Sequence, residues 1–268
     1  MNLPSLVNPI DIDEAKARFQ SATPFPSICF DNFLEPEFAS EVAAAYPSLE
    51  EAKKIGRAFK AVNEIGKVQV TDSSRFPGAV GKLHELLASR PVLDFMSMLS
   101  GRPELLADEE MVGGGMHQTG PRGRLDVHVD FNYIKDRQLY RRLNILVFLN
   151  RQWEESWGGK LELWDGKVKK CHHTFLPVFN RCIIFETSEI SYHGVTAVTC
   201  PEGQSRKSFA AYYYTKQDTP EFAPHSTVFR ARPDELTKKY VFMPASRVRV
   251  AIRNANRNVR SVVKKLIK

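Results

Sequence analysis

The segment Leu143 to Leu149 (LNILVFL) decides the fold, because it is a short apolar run with the length and composition of a buried strand. From about residue 112 onward, similar short runs alternate with glycine, proline and asparagine turns. They cover Lys160 to Trp164, Cys182 to Glu186, Gly194 to Val198 and Ser208 to Thr215. Several short strands at this spacing predict a β-sandwich or a jelly roll.

The chain before residue 112 has mainly helical patterns instead. Helices are predicted over Asp11 to Phe19, Glu35 to Tyr46, Gly78 to Ala88 and from near Pro91 to Leu99, with a strand at Phe25 to Phe30. Helices first and strands second predict an α+β fold with a mainly β core. The regions expected are an N-terminal support (1–110), a catalytic core (111–217) and a C-terminal extension (218–268), all within one structural domain.

Composition and charge narrow the class of protein. Of the 268 residues, 43% are apolar and 26% charged, which is typical of a soluble globular protein. The net charge of +7 comes from the end of the chain, because ten lysines and arginines and no acidic residue follow Glu235. The remainder is mildly acidic, which argues against a nucleic-acid-binding face on the main domain.

Cysteine usage and hydropathy bear on the compartment. The four cysteines are far apart and form no CxxC pair, so neither a disulfide framework nor a zinc ribbon is expected. The N-terminal residues show no signal-peptide pattern, and no apolar run approaches the roughly 20 residues of a membrane span. We therefore expect a cytoplasmic protein.

A candidate metal site begins at His128-Val129-Asp130. On a strand, positions i and i+2 project to the same face, so an imidazole and a carboxylate converge. This pattern alone is weak, and a surface histidine and aspartate would be the default interpretation. His193 lies between two predicted strands, and two histidines with one carboxylate form the facial triad that binds Fe(II) and leaves adjacent positions open.

Arg206 is the second chemical signal. It follows His193 by 13 residues, at the mouth of the predicted strand Ser208 to Thr215. A planar guanidinium is suited to bidentate binding of a carboxylate, here the distal carboxylate of a dicarboxylic acid.

The order of these residues resembles the 2-oxoglutarate and Fe(II) dependent oxygenase superfamily, and within it the prolyl-4-hydroxylase-like branch. HxD is followed after about sixty residues by a histidine and then by Arg-x-Ser at the start of a strand. Supporting stretches are LDVHVDFN (125–132), YRRLN (140–144), WGGKLELW (157–164) and the Tyr212–Tyr214 strand. The resemblance covers roughly residues 110–217, and FDNFL (30–34) matches the family's N-terminal entry more loosely.

The resemblance implies the fold, the cofactors and the site. The fold would be a double-stranded β-helix (jelly roll) with flanking N-terminal helices. His128, Asp130 and His193 would bind iron, and Arg206 would bind the C5 carboxylate of 2-oxoglutarate, with Ser208 as a second contact. Fe(II), 2-oxoglutarate and O2, with ascorbate as an accessory reductant, would hydroxylate an unactivated C–H bond of a small-molecule or peptidyl substrate. Succinate and CO2 would be released.

The chain departs from the family at one position. Related prolyl hydroxylases often have a tyrosine that hydrogen-bonds the cosubstrate where this chain has Phe148. Asn144 and Gln118 are the candidates for replacing that contact. His117 lies an odd number of residues before His128 and is expected on the opposite strand face, unless a bulge intervenes.

Asp130 also bears on the reaction. Related halogenases have a small residue where this carboxylate stands, so Asp130 favours hydroxylation.

Three alternatives remain open. A non-catalytic jelly-roll binding protein would keep the fold without the chemistry. A metal enzyme of the cupin type would use no keto acid, and Arg206 would then have no obvious task. A hydroxylase of a prolyl residue in a protein target is the alternative to one acting on a small molecule.

Residues 246–268 have the pattern of a basic amphipathic helix. Apolar side chains recur at steps of three and four, while arginines and lysines occupy the other positions. Such a helix either contacts an acidic membrane surface or partner, or packs its apolar face on the domain or on a second subunit. The segments 52–74 and 215–233 are expected to carry specificity loops.

Overall fold

A computed structural model describes residues 3–217 and 222–235. Its helices are α1 (Ile12–Ser21), α2 (Pro36–Ala45), α3 (Leu49–Ile55), α4 (Gly78–Ala88) and α5 (Arg90–Ser100). Local chemistry sets several of their ends. Asp11 caps α1 by accepting a hydrogen bond from the backbone N–H of Glu14, and Ser48 with Glu51 forms a capping box at α3. Gly101 ends α5 in the left-handed region, with a φ of 70°.

The described residues contain thirteen strands, numbered in chain order. They are β1 (Ser27–Phe30), β2 (Arg57–Ala61), β3 (Glu64–Val70), β4 (Leu106–Ala107), β5 (Gly115–Val129), β6 (Tyr133–Ile134), β7 (Leu139–Phe148), β8 (Leu161–Trp164), β9 (Cys171–Phe175), β10 (Cys182–Glu186), β11 (His193–Val195), β12 (Arg206–Lys216) and β13 (Val228–Phe229). The predicted strands from residue 143 onward are all present within a few residues of the expected bounds.

The strands form one curled antiparallel sheet. Its main path runs β1-β10-β7-β12-β5-β11-β8-β9, and the hairpin of β2 and β3 extends it through pairing of β3 with β5. The long strand β5 joins two halves of the sheet, because its first part pairs with β12 and its last part pairs with β11 and β13. This is a jelly-roll arrangement, and the predicted fold class is confirmed.

The main hydrophobic core lies between the helices and one face of this sheet. Val80, Leu83 and Leu87 of α4 are at most 1% exposed, and they belong to the same cluster as Ile145 and Val147 of β7. The helices therefore support the strands from outside and leave the other face of the sheet free for a site.

Two irregularities in the sheet position the site. In β5, residues 120–123 form a bulge with three extra residues, because Arg124 pairs with Ile65 and Thr119 pairs with Lys67, which leaves only Gly66 opposite these four. In β7, the pairing of Leu143 with Tyr213 is followed by that of Arg141 with Tyr214, so Arg142 is an extra residue. Each bulge changes which residues face the interior of the curled sheet.

The segment 52–74 is more ordered than expected. It contains most of α3 together with the β2–β3 hairpin, rather than a loop. The predicted helix over 246–268 lies outside the described residues, and so does part of the expected specificity segment 215–233. The described residues up to Phe229 form one compact unit, and the three regional boundaries remain a prediction. In the described part of the chain, no helix combines the length and apolar character needed to cross a bilayer.

Candidate active site

The three predicted metal ligands converge inside the curled sheet. His128 near the end of β5 and His193 at the start of β11 are cross-strand partners, and their ring centroids lie 4.3 Å apart. Asp130 follows β5 directly. Its two carboxylate oxygens each lie 3.5 Å from one imidazole Nε2, of His128 and of His193. One potential ligand atom from each residue lies within 4.8 Å of the other two.

Both imidazoles are oriented as metal ligands usually are. The Nδ1 of His128 lies 2.8 Å from the backbone oxygen of Asp126, and the Nδ1 of His193 lies 2.9 Å from that of Ser191. A carbonyl oxygen accepts a hydrogen bond, so each Nδ1 carries the proton and each Nε2 lone pair faces Asp130. Two imidazoles and one carboxylate, with hydrogen-bonded supports, fit Fe(II).

The carboxylate of Asp130 is held by two neighbours on β7. Its Oδ2 accepts hydrogen bonds from Arg141 Nη2 at 2.9 Å and from Asn144 Nδ2 at 2.8 Å. Arg141 is 1% exposed, and its guanidinium carbon lies 3.4 Å from the ring centroid of Tyr212. The Asp130 carboxylate is therefore fixed in orientation. Both hydrogen bonds are made to Oδ2, and neither is made to Oδ1.

The protonation states agree with metal binding. Burial by itself would raise the pKa of the Asp130 carboxyl, but Arg141 and the two imidazoles hold that pKa well below its usual range. Burial and the neighbouring His128 lower the pKa of His193 to about 4. Near neutral pH, Asp130 is thus ionised and His193 is neutral, as ligation requires.

Arg206 is a buried cation on the wall of the same cavity. Its Nε donates a hydrogen bond to the backbone oxygen of Gly159 at 2.8 Å, and its Nη1 lies 3.4 Å from the Oγ of Ser208. Burial lowers its pKa to about 10, so it remains charged near neutral pH. Among the described residues, no carboxylate forms an ion pair with it. A buried charge without a counterion is unfavourable, so Arg206 is suited to an anionic ligand.

Gly159 in the WGG motif allows the Arg206 side chain to pack closely against the backbone. Its φ is +64°, and a Cβ there would lie 3.1 Å from the Cδ of Arg206. Only glycine adopts this conformation easily, and any side chain would press on the arginine.

We expect Gly159→Ala to destabilise the fold by about 1–2 kcal/mol and also to weaken 2-oxoglutarate binding. Gly203→Ala is the matched control, because Gly203 also has a positive φ (+86°) but a Cβ added there would meet nothing within 4 Å. Chemical denaturation and ligand titration of both variants are the measurements. Equal loss of 2-oxoglutarate affinity in the two variants would contradict the contact expected between Arg206 and this ligand.

The cavity around these residues has a volume of about 370 Å³. The metal triad, Arg206 and Ser208 all line it. The β2–β3 hairpin contributes to its wall, and Phe229 of β13 covers His128 with a ring-centroid distance of 5.3 Å. The site is therefore enclosed by segments that precede and follow the strands of the triad in the sequence.

Two of the weaker predictions need correction. Gln118 does not line the cavity: its Nε2 donates to the backbone oxygen of Pro47, and its Oε1 accepts from the Oγ of Ser205. Asn144 does line the cavity, but its side chain is hydrogen-bonded to Asp130 and Arg141, so it orients the Asp130 carboxylate.

The β-bulges in β5 and β7 explain why the sequence did not predict that His117, Thr119 and Arg141 line the cavity. His117 and Thr119 line the cavity, because the bulge at 120–123 interrupts the alternation that leads back from His128. The bulge at Arg142 likewise places Arg141 on the face of Asn144. The register of paired strands could have revealed these residues, but single-strand alternation could not.

Comparison with known proteins gives the class. Residues 114–214 match the model of the 2OG-Fe(II) oxygenase superfamily. Over 78 residues the chain is 31% identical to the prolyl 3-hydroxylase OGFOD1 of Mus musculus, a match covering 28% of this chain and 14% of the mouse protein. The chain thus spans only a small part of the length of this curated relative.

Two solved structures share the fold. The prolyl hydroxylase of Trichoplax adhaerens, solved with a hypoxia-inducible-factor peptide, is 17% identical, with a TM-score of 0.55 over 76% of this chain and 90% of that one. The Pseudomonas putida prolyl-4-hydroxylase is 15% identical, with a TM-score of 0.51 over 75% of this chain and 98% of that one.

Residues 114–214 therefore resemble the 2OG-Fe(II) oxygenase superfamily, whose members use Fe(II), 2-oxoglutarate and O2, and the three candidate ligands lie inside or beside the matched segment. The match agrees with the predicted class of enzyme, a 2-oxoglutarate-dependent dioxygenase.

Proposed function

We propose that this protein hydroxylates an unactivated C–H bond, and that His128, Asp130 and His193 bind the iron while Arg206 and Ser208 bind the distal carboxylate of 2-oxoglutarate. The observation that carries the proposal is a buried arginine, with no counterion among residues 3–217 and 222–235, in the same cavity as a facial triad. One oxygen atom of O2 enters the substrate as hydroxyl and the other enters succinate, with CO2 released from the keto acid.

When bound, the iron supplies the activation of O2. The protein residues supply orientation and charge. Asp130 and the two imidazoles offer lone pairs from one side, which leaves coordination positions for the keto acid and O2. Arg141 and Asn144 fix the Asp130 carboxylate, and the aromatic rings of Phe185 and Phe229 beside the imidazoles limit access of water.

We propose a peptidyl prolyl residue as the first substrate class to test. The support is the prolyl hydroxylase chemistry of the mouse relative and of the two proteins that share the fold. A cavity of about 370 Å³ is large enough for one side chain of a peptide. A small-molecule substrate is the alternative outcome of the same test.

The deciding experiment measures succinate formation from 2-oxoglutarate with Fe(II), for the full chain and for His193→Ala. We expect activity in the wild type and its loss in the variant, because the variant lacks one of three iron ligands. His172→Ala is the matched control, since His172 on β9 is partly exposed and outside the cavity. A wild-type chain that neither binds iron nor consumes the keto acid would overturn the proposal.

The same preparation can identify the substrate. Prolyl peptides and a small-molecule fraction of a cell extract would be incubated separately with the enzyme, and products heavier by one oxygen atom would be sought by mass spectrometry. Hydroxylation only in the small-molecule fraction would overturn the prolyl assignment and leave the hydroxylase assignment in place.

We propose a cytoplasmic location. The support is that no disulfide joins Cys29, Cys171, Cys182 and Cys200, as is usual in proteins of reducing compartments. Fractionation of cells that express the tagged full chain tests this proposal.

A further inference from the structure

Residues 222–229 form a strap over the triad end of the cavity. The strap ends in β13, where Phe229 pairs with His128 of β5. His193 of β11 pairs with His128 on the other edge of β5, so Phe229 and His193 lie on opposite sides of it. Thr227 and Phe229 line the cavity. The strap is therefore the wall of the site on the side of His128 away from His193.

Backbone pairing and apolar packing attach the strap only weakly. The strand β13 has two residues, and Val228 packs at the edge of a small hydrophobic cluster. Phe222, at the other end of the strap, is 46% exposed. A segment with few buried apolar contacts opens locally at a low free-energy cost. The polar contacts of the strap therefore matter for its position.

A polar network ties the strap to the segment that follows Asp130. Asn132, two residues after Asp130, is 2% exposed. Its amide nitrogen donates hydrogen bonds to the backbone oxygen of Ala223 and to the Glu189 carboxylate, and its amide oxygen accepts one from the backbone N–H of His225. The two amide hydrogens and the amide oxygen of Asn132 thus have one partner each.

The side chain of His225 extends this network to the segment that precedes His193. Its Nε2 lies 3.0 Å from Oε2 and 3.1 Å from Oε1 of Glu189. A carboxylate only accepts hydrogen bonds, so Nε2 carries a proton in this contact. Glu189 lies four residues before His193, in the connection between β10 and β11. The contact therefore joins the strap to the segment that leads into a predicted metal ligand.

We infer that His225 is a positioning residue that keeps the ring of Phe229 over His128 by holding the strap in place. This inference rests on the proposed function, because it takes the triad to bind iron. The Phe229 ring lies 5.3 Å from the His128 ring, and it excludes water from that side of the site only while the strap stays attached. Loss of the contact between His225 and Glu189 exposes the iron site to solvent without removing a ligand.

Amide hydrogen exchange of the metal-free full chain tests the attachment of the strap. We expect the amides of His225 and of β13 to exchange about three- to ten-fold faster when the His225 side chain is removed in His225→Ala. This effect is typical of one partly exposed, charge-assisted hydrogen bond. The same β13 amides should show a smaller change in His225→Gln, because its amide nitrogen can donate to Glu189. His173→Ala is the matched control, since His173 also has a hydrogen-bonded ring nitrogen but lies on β9, outside the cavity.

Transfer of Fe(II) from the loaded full chain to a coloured chelator tests the consequence for the site. His225→Ala and Phe229→Ala should each release iron about three-fold faster or more, in line with the faster opening of the strap. The double variant should be no faster than Phe229→Ala, because His225 acts through that ring. His173→Ala should release iron at the wild-type rate.

The affinity for 2-oxoglutarate separates positioning from general damage. Arg206 pairs with Thr119, nine residues before His128 on β5, so His225→Ala should leave the Kd for 2-oxoglutarate unchanged. Loss of that affinity in parallel with faster iron release would show a structural role and overturn the inference. Unchanged amide exchange in His225→Ala, or additive effects in the double variant, would also overturn this inference alone. A wild-type chain that binds no Fe(II) would overturn the proposed function as well.

Discussion

Replacing Arg206 with leucine should abolish binding of 2-oxoglutarate at ordinary concentrations while leaving the fold intact. Loss of one partner of a buried, hydrogen-bonded charge pair costs about 2–5 kcal/mol, which corresponds to a rise in Kd of about 30-fold or more. Arg206→Lys should show a smaller but clear loss, because lysine keeps the charge without the planar pair of donors. Anaerobic titration with 2-oxoglutarate measures both.

The same substitution should raise the stability of the ligand-free protein. Burial lowers the pKa of Arg206 to about 10, a penalty on the charged form of about 3 kcal/mol. This penalty applies at every pH well below 10, since the charged form is then the one present in the native state. The lost hydrogen bond to Gly159 offsets about 1–2 kcal/mol, so we expect a net gain of about 1 kcal/mol in the free energy of unfolding.

Urea denaturation of the wild type and of Arg206→Leu, with and without 2-oxoglutarate, measures this change in the free energy of unfolding. The keto acid should stabilise the wild type and leave Arg206→Leu unchanged, because a ligand stabilises only the state that binds it. A variant that is less stable without ligand, yet is stabilised by 2-oxoglutarate as much as the wild type, would contradict the assigned role.

The sequence predicted the strands and the metal triad for the same reason. Short apolar runs bounded by turns identify strands, and His128-Val129-Asp130 uses the two-residue alternation of a regular strand. His193 was identifiable because it starts a strand, where it becomes the cross-strand partner of His128. Both predictions depended on local regularity, and the strands and the convergence of the three side chains agree with it.

The cavity residues that the sequence did not predict, His117 and Arg141, are each separated by a β-bulge from the predicted site residue on the same strand. Alternation counted back from His128 favoured Gln118 over His117. Residues 120–123 of β5, however, lie opposite the single residue Gly66 of β3, and these three extra residues reverse the alternation. Arg141 lies one bulge away from Asn144 and for that reason shares its face. Both bulges depend on pairing with strands distant in sequence, so a single strand does not reveal them. The β2–β3 hairpin was missed for a related reason, because β2 is largely exposed and its residues lack strict alternation.

Replacing Arg141 with methionine should cause the largest loss of stability in the site. Arg141 and Asp130 are a buried pair with an N–O distance of 2.9 Å, and their side chains are 1% and 13% exposed. Removing one partner of such a pair leaves an uncompensated charge and typically costs about 3–5 kcal/mol. The space beside Tyr212 is filled by methionine, so the loss comes mainly from the charge. Urea denaturation of the metal-free protein measures it.

The double variant Arg141→Met with Asp130→Asn separates charge from packing. It removes both charges, so it should be more stable than Arg141→Met alone. With the single variant Asp130→Asn it completes a double-mutant cycle, which gives the coupling energy of the pair. A divalent metal should also recover more stability in Arg141→Met than in the wild type, because it becomes the main positive charge near Asp130. Equal recovery in the two proteins, or a double variant less stable than the single one, would show that Arg141 acts mainly through its packing on Phe131 and Tyr212.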